Sequence, residues 1–195
     1  MTWIAEHARF VASFLRHPFS TGALVPSSRW LARHMIEGMR LPRAKTVVEV
    51  GPGTGSFTKA IAQEVPPDAL FLAVELNPDF ANGLSSKFPN VRVINDSAEH
   101  LAKHLANHGR WSADAILSSL PWASFPPDLQ GRLMDAIAGA LAPGGRFSTY
   151  AYVHAAWLPA ARRFREMLDG HFRSVHTTGV VWWNLPPAVV YRCEK

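Results

Sequence analysis

The chain has 195 residues, 48% of them apolar and 18% charged, a balance that suits one folded domain with a short appendage and excludes global disorder. Its one cysteine, Cys193, excludes an internal disulfide and a cysteine-rich zinc site. No apolar run approaches the ~18 residues of a membrane span, and the N-terminus lacks a signal-peptide core, so a reduced, cytoplasmic location is expected.

The formal charge is +5, and all of it lies in residues 1–45. There Arg9, Arg16, Arg29, Arg33, Arg40, Arg43 and Lys45 face only Glu6 and Glu37, while the remaining 150 residues are neutral. Two regions follow: a basic, helical segment over 1–45 and a body over 46–195. A basic segment on a neutral body implies an acidic partner, phospholipid or nucleic acid. Wound as a helix, residues 2–16 gather Trp3, Ile4, Phe10, Val11, Phe14 and Leu15 on one arc of about 160°, with Glu6, Arg9, Ser13 and Arg16 opposite. Such a helix can pack on its own domain or lie in a membrane interface, with Arg9 and Arg16 at phosphates and Trp3, Ile4, Phe10 and Phe14 in the interfacial layer.

From Thr46 onward, short β-branched runs alternate with helical stretches. Strands are predicted at 46–50, 70–74, 91–94, 113–117 and 146–152, and helices at 56–64, 78–87, 98–107, 128–141 and 159–168. The tail holds two further β-like runs, 177–183 and 188–192, with no helix between them. This alternation predicts parallel strands joined by crossovers, closed by an antiparallel hairpin at one edge, with the ligand at the carboxyl ends of the strands.

The sharpest motif is Glu49-Val50-Gly51-Pro52-Gly53-Thr54-Gly55, which follows a predicted strand and opens a predicted helix. Closely spaced glycines let backbone approach a ligand. The spacing meets neither the dinucleotide fingerprint nor a phosphate-binding Walker loop. Glu75 ends the second strand, where a carboxylate can accept two hydrogen bonds from a ribose diol. Asp96 follows the third, near where an adenine edge would lie.

As a set, Glu49 to Gly55, Glu75 and Asp96 resemble the first three motifs of class I S-adenosylmethionine-dependent methyltransferases, over about residues 46–152. The resemblance implies a doubly wound, mostly parallel seven-stranded α/β sheet, the Rossmann-like methyltransferase fold, here with an N-terminal helical extension. It implies S-adenosylmethionine as cofactor and S-adenosylhomocysteine as product. Gly51, Gly53 and Gly55 would face the methionine part, Glu75 would hold the ribose, and Asp96, Ser97 and Ala98 would flank the adenine; Glu49, Thr54 and Leu76 would also line the cofactor. Ser118 and Ser119 match the position beside the sulfonium.

Two families with this core compete for the acceptor. Ribosomal RNA adenine dimethyltransferases carry Asn-Leu-Pro-Tyr/Phe after the fourth strand; this chain has Ser119-Leu120-Pro121-Trp122, and with Lys195 so soon after the sheet a sizeable C-terminal RNA-binding domain is not expected. The bacterial phospholipid N-methyltransferases, which convert phosphatidylethanolamine to phosphatidylcholine, are similar at both ends as well, over Phe14–Ser28 and over Trp183-Asn184-Leu185-Pro186-Pro187-Ala188-Val189-Val190-Tyr191-Arg192. That resemblance implies a peripheral enzyme on the inner face of an anionic membrane, acting as a monomer on a phospholipid, with no metal and no nucleic acid. A small-molecule N-methyltransferase and a non-catalytic binding module remain alternatives. Seven tryptophans in 195 residues exceed the usual proportion. Trp122, Tyr150, Tyr152, Trp183 and Tyr191 are candidates for a head-group ammonium, which aromatic faces attract. Arg192 is the candidate for a lipid phosphate. No general base is needed for an amine that arrives unprotonated. His100 and His104 are expected at the surface.

Overall fold

The structure, a computed structural model, describes residues 27–155 and 159–195. Trp3, Ile4, Arg9, Phe10, Phe14 and Arg16, the expected membrane contacts, lie outside the described residues.

The apolar runs form the expected parallel strands: β1 (Thr46–Val50), β2 (Leu70–Glu75), β3 (Arg92–Asn95), β4 (Ala113–Ser118) and β5 (Leu141–Tyr152). The first helix among the described residues, α1 (Arg29–Ile36), precedes β1. The crossovers are α2 (Thr58–Glu64), α3 (Pro78–Lys87), α4 (Leu101–Asn107) and α5 (Pro127–Ala140); α6 (Pro159–His171) follows β5. The hairpin of β6 (Ser174–Thr177) and β7 (Ala188–Glu194) closes the sheet. Among the described residues the strand order is β3-β2-β1-β4-β5-β7-β6, with β7 antiparallel to both neighbours. The sequence-based fold class is therefore the observed one.

Strand alternation divides the core between the two faces of the sheet. Val47, Phe71, Ala73 and Leu117 pack against α1 and α2, around Leu31, Met35 and Ile61. Val48, Val50, Leu72, Ile116 and Phe147 pack against α4, α5 and α6, around Leu101, Met134, Ile137 and Leu168. Helix α1 starts where the Ser28 hydroxyl accepts the Leu31 N–H, a helix cap, and its Leu31 and Met35 are fully buried. It is clamped at its other end, where Arg192 of β7 donates to the His34 carbonyl and to Glu37 at 2.6 Å.

Two strands differ from expectation. β5 begins at Leu141 rather than Arg146, because Pro143-Gly144-Gly145 sits in a bulge between the pairs Ala113–Leu141 and Ala115–Arg146. The penultimate strand ends at Thr177, where a strand over 177–183 was expected. The reason is local: the Thr178 hydroxyl accepts the Val190 N–H, taking a ladder position for a side chain. Beyond it only Val181 bridges to Ala188, and residues 178–187 form a loop.

Candidate functional site

Three strand ends are stitched together at the point where the strand order reverses, between β1 and β4. Gly51 N donates to the Val74 carbonyl, and Ser119 N donates to the Val50 carbonyl, both at 2.9 Å. Chain leaving β1 therefore turns across the ends of β2 and β4, the place where open α/β sheets bind ligands. The glycine loop folds over Glu75, whose Oε2 accepts the Gly53 N–H at 2.9 Å and whose Oε1 accepts the Asn77 N–H at 2.8 Å. Glu75 is buried, and burial raises its carboxyl above the usual range, against the lowering by these backbone donors. Asn77 was not singled out from sequence. The signal was there: Asn77 before Pro78 caps α3, accepting the Asp79 N–H, and this cap aims the N–H that holds Glu75.

Gly53 and Gly55 have φ of +57° and +86°, yet their surroundings differ. A Cβ on Gly55 would lie 2.6 Å from Phe88 and 2.8 Å from Leu84, so this glycine serves the packing of the loop on α3. A Cβ on Gly53 would meet nothing within 4 Å, so the open side of the loop lies there.

Glu49 lies beneath the loop, fully buried, with Oε2 accepting the Thr58 hydroxyl at 2.7 Å and Oε1 without a partner among the described residues. Burial pushes its carboxyl up to about 8; the Thr58 hydrogen bond opposes this and the Glu75 charge reinforces it. The sign of the consequence is fixed. In the unfolded chain the group titrates near its ordinary 4.5, so between that value and about 8 the folded state holds the extra proton. Stability of the cofactor-free protein is expected to fall as pH rises through that window and to level off above it. Glu49→Gln, which mimics the protonated acid, removes the dependence. Thermal midpoints measured at intervals from about pH 5 to about pH 8 should fall less for the variant, which becomes the more stable protein at the upper end. Parallel curves would show that Glu49 is ionised in the fold.

Asp96 follows β3 as expected but is held from the α4 side. Its Oδ1 accepts the Ser97 N–H, and the carboxylate takes His104 Nε2 at 2.8 Å and His100 Nδ1 at 3.1 Å. Burial raises the Asp96 carboxyl, but Ser97, His100 and His104 together outweigh it and hold the group below the usual range. The expectation of a surface His104 is corrected: it is buried, because a partner in the turn after β3 draws it inward. Ser97 caps the turn at Ala98–His100, accepting the Glu99 N–H.

The six head-group candidates do not converge. Tyr150 and Tyr152 lie side by side on the α1–α2 face, with ring centroids 5.5 Å apart. Phe57, just beyond the glycine loop, meets the Tyr150 edge at 5.7 Å, and His154 stacks on Tyr152. Burial raises the Tyr150 hydroxyl further from ionisation, Tyr152 adds to this, and a hydrogen bond with Ser27 opposes it. Tyr191 faces the other side, its ring against Phe164. Trp122 is corrected to a core residue: it is 3% exposed, stacks on Phe164 at 5.0 Å, and its Nε1 donates to Thr149 Oγ1. The turn carrying it is fixed by Gln130, whose Nε2 donates to the Trp122 and Phe125 carbonyls. Arg192 is likewise committed elsewhere, beneath the rim, to Glu37 and α1. Trp183 is 78% exposed in the β6–β7 loop.

A glycine loop folded on a buried carboxylate at the switch point of a parallel sheet defines a nucleoside-binding α/β enzyme. Residues 47–145 match the family model of a methyltransferase domain. Along nearly its whole length the chain is similar to the ornithine lipid N-methyltransferase of Singulisphaera acidiphila, with 34% identity covering 95% of this chain and 94% of that one. Ribosomal RNA small subunit methyltransferase A of Chlorobium phaeobacteroides is 33% identical over 51% of this chain, but only 36% of its own length is covered. Among solved structures, the O-methyltransferase TomG of Streptomyces achromogenes, in complex with S-adenosylmethionine, superposes with a TM-score of 0.66 at 20% identity, covering 96% of this chain and 90% of that one. The N-methyltransferase NodS of Bradyrhizobium japonicum, bound to S-adenosylhomocysteine, gives 0.64 at 13% identity over 85% and 83%. The chain belongs to the class I S-adenosylmethionine-dependent methyltransferases.

The residues present fit that cofactor. Its ammonium needs an acceptor, and the buried Glu49 Oε1 has none of its bonds filled among the described residues. Its ribose diol needs a carboxylate, and each Glu75 oxygen accepts one backbone bond, which leaves a lone pair on each. Its approach to backbone needs open space, which Gly53 offers.

Proposed function

We propose that this enzyme methylates the primary amine in the head group of a membrane lipid. The observation that carries the reading is the similarity to a lipid N-methyltransferase along 95% of the chain, whereas the similarity to the RNA enzyme stops at about half. Phosphatidylethanolamine is the acceptor expected from sequence, and ornithine lipid is the one in the relative's name; both offer a primary amine. The cofactor, when bound, supplies an electrophilic methyl on a sulfonium. The remaining work falls to the chain. Gly51, Gly53, Thr54 and Gly55, with Glu49 beneath them, would hold the methionine part. Glu75 and Leu76 would hold the ribose, Asp96, Ser97 and Ala98 would flank the adenine, and Ser118 would lie on the side of the methyl donor. Phe57, Tyr150 and Tyr152, next to the glycine loop, present ring faces and edges to the amine, whose ammonium product aromatic faces stabilise. The amine lone pair would form the new N–C bond as the S–CH3 bond breaks, its electron pair staying on sulfur to give the thioether product, and the proton then released from the ammonium would go to water. The N-terminal segment, with Trp3, Phe10 and Arg9 among its residues, brings the enzyme to an anionic bilayer as a peripheral protein. Among the described residues no helix is long and apolar enough to cross a membrane.

The test supplies labelled S-adenosylmethionine to purified enzyme with anionic vesicles containing either phosphatidylethanolamine or ornithine lipid, or with ribosomal RNA. Label is expected in one or both lipids. Label in RNA alone, or in a soluble amine alone, overturns the reading.

A further inference from the structure

We infer that the β6–β7 loop, residues 178–187, is a membrane-docking surface that inserts Trp182, Trp183 and Leu185 into the interfacial layer of an anionic bilayer; this rests on the lipid-acceptor reading above. The three side chains are 71%, 78% and 72% exposed, and it is their clustering within four positions of one loop, not the exposure of any one of them, that marks an interaction surface. The loop that carries them is held from below. Asn184, 3% exposed, stands between Trp183 and Leu185; its Nδ2 donates to the Pro186 carbonyl at 2.7 Å and its Oδ1 accepts the Ser28 N–H at 2.9 Å. Val181, also buried, bridges to Ala188. The apolar tips are thus displayed on a pinned base.

Several observations select a bilayer as the occupant. Indole combines a large apolar ring with an N–H donor, which suits the boundary between acyl chains and head groups. Asn184 fastens the loop to the start of α1, where Trp30 is 41% exposed with the Arg29 guanidinium 5.3 Å from its ring. Arg29 and Arg33 are exposed, and neither 27–36 nor 178–187 contains an Asp or Glu, so this corner is complementary to anionic lipid. The basic amphipathic N-terminal segment enters the described structure here, at Ser27. Finally, the loop precedes β7, whose first residue pairs with Tyr152 at the carboxyl end of β5. It therefore shares the rim with the glycine loop, three strand spacings or about 15 Å across the sheet. A lipid standing in the bilayer at this corner has its head group on the side of the cofactor site. Trp111, 89% exposed, stands just before β4, at the amino ends of the parallel strands, the opposite rim of the sheet, and has no part in this surface.

The test uses the full chain and vesicles of phosphatidylglycerol with phosphatidylcholine, which contain no primary amine, so docking is read apart from the acceptor. The double variant W182S with L185S is expected to lower vesicle partition by at least about tenfold, with an unchanged thermal midpoint and unchanged S-adenosylhomocysteine affinity. Should the double variant fail to fold, W182S and L185S singly should each lower partition by about threefold. Partition within about twofold of the parent for the folded double variant overturns the proposal. A parent that ignores vesicles also overturns it. In that case a midpoint lowered by the substitutions would show that the chain itself covers these side chains, and a parent dimer dissolved by them would show an interface between copies. Docking lost in the variant of an enzyme that labels no lipid supports this surface and overturns the acceptor reading alone.

Discussion

Replacing Glu75 by glutamine is expected to weaken S-adenosylhomocysteine binding by about 100-fold, measured by calorimetry on the purified protein. The carboxylate has two tasks in this site. Towards the protein, Oε1 and Oε2 accept the Asn77 and Gly53 N–H groups, which shapes the glycine loop. Towards the cofactor, their remaining lone pairs would accept the ribose diol under the proposed assignment. A glutamine presents two acceptor sites where the carboxylate presents four, and its NH2 must point at one of the two backbone donors. Hydrogen bonds to a charged group contribute about 1.5–3 kcal/mol each, and two of them account for the expected loss. Glu75→Asp, which keeps the charge and shortens the reach, should fall between parent and glutamine variant. An affinity for Glu75→Gln within about threefold of the parent would remove Glu75 from the ribose site.

The second large effect separates two glycines of the same loop. Gly53→Ala is expected to fold, with a cost near 1 kcal/mol for a left-handed alanine, and to lose cofactor binding by about 100-fold. Its new methyl meets no protein atom within 4 Å and would stand in the space proposed for the cofactor. Gly55→Ala should do the reverse in order of cause. Its methyl enters 2.6 Å from the Phe88 ring and 2.8 Å from Leu84, at a φ of +86°, so stability falls first, by about 3 kcal/mol or more. Thermal denaturation and S-adenosylhomocysteine titration on both variants check the pair. Equal midpoints for the two variants would remove the packing role of Gly55, and undisturbed binding by Gly53→Ala would mean that the open side of the loop does not face the cofactor.

Much of the molecule is legible along the chain. The alternation of β-branched runs and helical stretches predicts the sheet, and the run-ending positions of Gly51, Glu75 and Asp96 bring the three candidate cofactor residues to the carboxyl ends of the strands. These signals are local: a strand, its turn and the next helix are neighbours in sequence, and parallel crossovers have one favoured hand. The aromatic and cationic candidates are a different matter. Tyr150 and Tyr191 looked equivalent in sequence, but the pairing of Thr149 with Tyr191 and of Tyr150 with Val190 sends them to opposite faces of the sheet. Trp122 resembled a rim aromatic until Phe164 of α6, 42 positions away, stacked on it.

What the sequence by itself determined is the fold class, the position of the glycine loop and the carboxylates that follow successive strands, because each rests on short-range patterning. Only the tertiary structure decided which side chains share the site. It took Arg192 to α1, drew His104 under Asp96, made Asn77 the partner of Glu75, and ended β6 early so that Trp182, Trp183 and Leu185 stand in solvent. Each of those outcomes depends on strand register or on contacts between distant segments, and a one-residue shift of register would reverse the face on which every residue of a strand appears.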